Sequence, residues 1–160
     1  SGWRKTIIHP EHMIKVKMTS EGLIILNKHA NPSGELEMHA QLQRRRDKTR
    51  AVVHLHPTNI LAAMYAGWDL QKLAAEFPEV SRYTRVGPSV PILPVTSTEL
   101  ADATLRAMVD PATGRIYDIV GQANHGVCAV GPNPWDAFEH IERLEHICQI
   151  VLMSSSPPLR

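Results

Sequence analysis

A chain of 160 residues with 43% hydrophobic and 21% charged side chains has room for one domain with a buried core. Its formal charge of +1 supplies no global field for holding nucleic acid or an anionic membrane, so any anion has to be caught locally. No apolar run approaches the ~20 residues of a membrane span; the longest, around Ile147 to Met153, is interrupted by Gln149.

Taken in chain order, His12 to Met18 alternates as a half-buried strand does, and Leu23 to Leu26 reads as its partner after the Ser20-Glu21-Gly22 turn. Glu35 to Arg46 has helical spacing, with Leu36, His39, Ala40 and Leu42 on one face. Ala51 to His56 is a short β-branched run ended by Pro57. Asn59 to Ala66 and Trp68 to Phe77 predict two short helices broken at Gly67. Val90 to Val95, crowded by prolines, predicts an edge strand or extended segment.

Thr96-Ser97-Thr98-Glu99 has the capping-box pattern and predicts a helix to about Val109. A turn at Asp110-Pro111 and Thr113-Gly114 follows. Ile116 to Asn124 and Val127 to Val130 then predict a hairpin around His125-Gly126. Asn133 caps a last helix that carries Pro134 in its first turn and runs to about Met153. The expected fold is α/β, a central mixed or antiparallel sheet with helices on its faces.

Cys128 and Cys148 form no CxxC pair and read as small core residues of a reducing compartment; with no secretory signal in view, a cytoplasmic location is the expectation. Nine histidines are the compositional oddity. On a strand, residues two apart face the same way, so His54 and His56 of AVVHLHP project together while Leu55 faces the other side. Both imidazoles can then reach one cation at the roughly 2.0–2.1 Å of a zinc–nitrogen bond. A catalytic site needs a third ligand and an open position, and His125 of NHGVCAVG, where Gly126 lets backbone approach, is the candidate. Apart from His39, the other histidines have no partner at ligand spacing.

In NPSGELEMH, Glu35 and His39 are four apart on one helical face, and Glu35 falls in the first turn, where backbone N–H groups favour negative charge. Spacing alone does not choose Glu35 over Glu37. The run Arg44-Arg45-Arg46 with Lys48 has no interleaved aromatics and reads as a solvated helix end.

In combination, S-x-E-x-x-x-H, A-V-V-H-x-H, N-H-G-x-x-x-x-G and a long final helix resemble the class II aldolase and adducin family, which includes fuculose-phosphate and rhamnulose-phosphate aldolases and ribulose-phosphate 4-epimerase. The wider match, through HPEHMIKVKMTSEG, HPTNILA and VPILP, looks closest to the rhamnulose-phosphate branch. The resemblance implies zinc on His54, His56 and His125, one ion per subunit, with manganese or cobalt as other candidates. Glu35 takes the acid/base role, and Ser33-Gly34 with Ser1-Gly2 bind the substrate's phosphate. It further implies a homotetramer in which a neighbouring subunit supplies an acid, for which Glu79 and Tyr83 are the candidates.

Residues 1–160 are expected to form a single such domain that lacks the family's N-terminal segment, and Gly34 stands where the family carries a second phosphate-binding serine. The implied reaction is reversible cleavage of a ketose 1-phosphate, such as rhamnulose or fuculose 1-phosphate, to dihydroxyacetone phosphate and an aldehyde. A related epimerase, a methylthioribulose-phosphate dehydratase and a non-catalytic adducin-type oligomerisation module are the alternatives. The epimerases carry aspartate at the Glu35 position, and adducin-type members lack the metal histidines.

Overall fold

A computed structural model describes residues 8–27, 31–45 and 51–154. Ser1, Gly2, Arg46 and Lys48, each part of an expectation above, lie outside them. The described residues open with a 3-10 turn at Pro10–His12, so their first strand, β1, is shorter than its alternation predicts and spans Val16–Met18. It pairs antiparallel with β2, Leu23–Ile25, as a separate two-stranded ribbon. Helix α1 spans Leu36–Arg44 and strand β3 Ala51–Leu55.

Helix α2 is Thr58–Tyr65; the helix expected over 68–77 is present but shorter, and a further helix that the spacing did not predict follows it. Asp69 caps α3, Leu70–Ala75, by accepting from Gln71 N and Lys72 N, and Pro78 opens a further helix, α4, Pro78–Tyr83. Proline at a first helical position loses no hydrogen bond, and its fixed φ suits a new start. Helix α5 is Thr98–Ala107, strand β4 Ile119–Gln122, strand β5 Gly126–Gly131, and helix α6 Pro134–Ser154. The cap of α5 is Ser97, which accepts from Leu100 N, one residue later than the capping-box pattern placed it.

The central sheet is antiparallel in the order β3-β5-β4. All six residues of β5 are buried, because helices cover both faces. Val127 and Ala129 pack with Ile60, Leu70, Val80, Ile141 and Leu144 of α2, α3, α4 and α6. Cys128 and Val130 point the other way, to Met38 and Leu42 of α1 and to Ala101 and Met108 at α5. This is the two-residue period of a strand expressed as two cores.

Beside β4, Val86 and Val90 make single parallel bridges to Ile119 and Gln122, and no strand forms over 90–95. Pro91 and Pro94 have no N–H to continue a ladder, which is why the pairing stops. Among the described residues no helix is long and apolar enough to cross a membrane.

Candidate metal centre

The antiparallel register places His54 opposite Cys128 and Leu55 opposite Val127, next to the start of β5. His125 lies in the turn that joins β4 to β5, which Asn124 negotiates with φ 55°, a left-handed conformation that asparagine tolerates. Two distant stretches of chain thus meet at one end of the sheet. The ring centroids of His54, His56 and His125 are 4.9, 5.0 and 5.1 Å apart. One nitrogen from each ring lies within 4.8 Å of the others.

Gly126 is required at this junction for space. A Cβ there would stand 2.5 Å from the Leu55 carbonyl oxygen, 2.6 Å from His56 Cδ2 and 3.1 Å from His54 Cε1. The close backbone approach expected of Gly126 is what lets the rings converge.

Hydrogen bonding decides the tautomer of His54. Its Nδ1 lies 2.9 Å from the Val127 carbonyl oxygen, which can only accept, so Nδ1 carries the proton and Nε2 the lone pair. A backbone carbonyl orienting a ligand imidazole in this way is a recurrent outer-shell device. His56 Nε2 faces His54 Nε2 at 3.1 Å, near the separation of about 3.4 Å that two nitrogens keep on a tetrahedral zinc ion.

Burial, with His125 and then His56 adding to it, pulls His54 down to about 4, against a rise from the Val127 bond. A neutral imidazole near pH 7 is the form a cation needs. His125 Nδ1 is buried without a hydrogen-bond partner, which leaves the trio short of a partner group. The donor set, the shared direction and this orphan nitrogen fit a divalent cation. His56, the exposed member, faces an open groove of about 390 Å³ lined by Leu55, Pro57, Phe138, Ile141, Glu142 and Glu145.

Glu35 is the N-cap residue of α1 rather than part of its first turn, and its side chain makes no cap bond. The carboxylate turns instead to Thr96, whose N–H donates to Oε1 at 3.0 Å. The Glu35 charge reaches two groups on the histidine side, one half-buried and one buried. His39 is held below its ordinary value by burial, against an opposing pull from Glu35, and Cys128 is pushed up by burial with Glu35 adding to it. Glu37 is exposed, and its carboxylate accepts from Gln41, so the structure separates the two glutamates that spacing could not.

Ser33 and Gly34 are exposed beside Glu35, and Ser33 Oγ accepts from Glu35 N at 3.3 Å. Glu79 and Tyr83 lie exposed on α4, with the guanidinium carbons of Arg82 and Arg143 5.3 and 5.6 Å from the Tyr83 ring centroid. The Val127 carbonyl and Thr96 are the site partners that sequence reading missed. The first is backbone and has no side-chain signal; the second is announced only by an unfavourable φ.

The model of the class II aldolase and adducin N-terminal domain matches residues 1–152. The chain belongs to that family. Among its relatives, a 5-deoxy-D-ribulose 1-phosphate aldolase of Bacillus thuringiensis serovar kurstaki is 30% identical over 92% of this chain and 63% of its own length. A 3-oxo-tetronate 4-phosphate decarboxylase of Pectobacterium atrosepticum is 29% identical over 94% of this chain and 65% of its own. This family member therefore spans just under two thirds of the length of either relative. A sugar-phosphate aldolase from Thermotoga maritima superposes with a TM-score of 0.66 at 28% identity, covering 85% of this chain and 61% of that one. The α/β aldolase fold expected from the motifs is the one observed.

Proposed function

We propose that this family member is a zinc-dependent lyase that cleaves a ketose 1-phosphate to dihydroxyacetone phosphate and an aldehyde. The observation that carries the reading is the convergence of His54, His56 and His125 with the Nε2 lone pair of His54 set free by Val127. A divalent cation held there supplies Lewis-acid polarisation of a carbonyl. His54 stays neutral through burial and keeps its orientation through the Val127 bond, while exposed His56 leaves a side from which substrate enters.

Glu35 moves the proton at the carbon bonded to the carbonyl carbon, a task for a positioned carboxylate within hydrogen-bond reach. The exposed Ser33 hydroxyl and the backbone N–H groups beside it receive the phosphate, with Ser1-Gly2 as their expected complement. Glu79 or Tyr83 supplies the second acid from a neighbouring copy of a homotetramer, in keeping with their exposure on α4. Three imidazoles suit zinc, with manganese and cobalt as competitors. The setting is cytoplasmic sugar-phosphate metabolism, and residues 1–160 act as one domain.

The experiment is Glu35→Gln assayed with L-rhamnulose 1-phosphate and 5-deoxy-D-ribulose 1-phosphate, following release of dihydroxyacetone phosphate, beside metal analysis. The variant is expected to keep one metal per chain and lose at least about 100-fold in kcat. Full turnover would remove Glu35 from the mechanism. Decarboxylation of a 3-oxo sugar-acid phosphate is the second reading, favoured by the 29% identical decarboxylase relative. Carbon dioxide in place of dihydroxyacetone phosphate would select it. The epimerase, dehydratase and silent-scaffold alternatives give, in turn, an isomeric phosphate, loss of water and no bound metal.

A further inference from the structure

Thr96 breaks a local rule. Its φ is 60°, and a β-branched residue in the left-handed region is strained by its own side chain. Strain of this kind persists only where surrounding contacts hold it, and it gathers at functional sites. Two contacts do the holding. The Thr96 N–H donates to Glu35 Oε1 at 3.0 Å, across a sequence gap of 61 residues. On the other side, the Thr96 methyl group covers residue 34, where a built Cβ on Gly34 would lie 2.5 Å from Thr96 Cγ2 and 3.3 Å from Thr96 Cβ. Chain neighbours aside, those are the only atoms that it would meet within 4 Å among the described residues.

Glycine at 34 and threonine at 96 are thus one interlocked arrangement. The side chain that residue 34 lacks is supplied in space by residue 96. The next residue, Ser97, caps α5 and anchors the segment to a helix that packs on α1, so the Thr96 N–H is aimed from a fixed base. Glu35 makes no cap bond to its own helix, which leaves this N–H as the contact that orients its carboxylate.

We propose that Thr96 is a positioning residue for the Glu35 carboxylate, held in a left-handed conformation so that its N–H grips Oε1 while its side chain locks the Ser33-Gly34-Glu35 turn. The inference rests on Glu35 serving as the base in the reading above. It gives Gly34 a reason of its own, since a larger residue there would expel Thr96.

Two measurements test it. The first is amide hydrogen exchange on the metal-loaded protein. The residue-96 amide is expected to be protected, and to exchange at least about tenfold faster in Glu35→Ala. An unchanged rate overturns the grip. The second is Thr96→Gly, which relieves the backbone strain but empties the space over Gly34. It is expected to keep its bound metal and to melt no lower than the native protein, yet to lose about tenfold in kcat with little change in KM, the pattern of a misplaced reacting group.

Gly34→Ala in the native background should lower Tm, because of the clash. Added to Thr96→Gly it should recover part of the lost kcat, because its methyl refills the gap. A Thr96→Gly protein with native kcat overturns the positioning role. Full turnover in Glu35→Gln would instead strike the reading of Glu35 as base and leave the exchange result standing, so the two failures are told apart.

Discussion

His54 is carried by β3 and His125 by the turn that leads from β4 into its ladder partner β5, whereas Glu35 is carried by a turn at the end of a helix and gripped from a neighbouring segment. The histidine end rests on five register pairs between β3 and β5, a strand buried along its whole length. Moving one ring there means slipping a register, which would send every side chain of the strand to the opposite face. The glutamate end rests on one hydrogen bond to its carboxylate and one methyl contact, both on exposed segments. Metal affinity should therefore follow the sheet, and turnover should follow the turn.

The largest effect expected is on the ladder side. His125→Ala should lower metal affinity by more than about 100-fold, beyond the roughly 10–100-fold typical when only an outer-shell partner is lost, as read by metal-competition titration. Glu35 variants should leave that affinity nearly unchanged, and a large loss in them would erase the comparison. Next comes Gly126→Ala, whose methyl would press into the Leu55 carbonyl and the His56 ring. Forcing β3 and β5 apart should cost about 1–3 kcal/mol in urea unfolding and weaken metal binding as well.

Acid should act on the apo protein in one direction. His39, His54 and His140 are each held below 6.5, with burial the leading cause. The unfolded chain takes up protons at 6.5 while the folded chain resists, so the stability from keeping them neutral is present above that value and is lost as pH falls. For His54 the window runs from 6.5 down to about 4. It alone sets an upper bound of about 2 kcal/mol at pH 5, seen as a lower urea midpoint than at pH 7.5. A midpoint independent of pH would mean that the rings are more open to water than their packing indicates. The smallest effect is Ser97→Ala, which removes the α5 cap bond and should cost about 1 kcal/mol with bound metal unchanged.

Much of this was legible in the chain. The HxH spacing placed two rings on one side because extended chain has period two, and that geometry is local, although β3 ends at Leu55 and His56, expected within the strand, lies one residue beyond it. The apolar run of β5, the proline that opens α6 and the Gly67 break after α2 are likewise written in neighbouring residues. The stop of α3 before Pro78 was legible too, whereas α4 beyond it was missed, because a proline reads as the end of one helix as readily as the start of the next.

The sequence by itself determined which side chains are able to hold a cation and which elements carry them, because periodicity and turn chemistry act over a few residues. Only the tertiary structure decided that His125 joins His54 across the β3–β5 register, that the Val127 carbonyl leaves His54 Nε2 as the lone pair, and that Glu35 rather than Glu37 is turned toward Thr96. These are contacts between residues 61 to 73 positions apart, and chain closure over such distances is set by packing and not by local preference. Thr96 shows the limit most plainly: its left-handed backbone opposes its own propensity and exists only because the folded neighbours impose it.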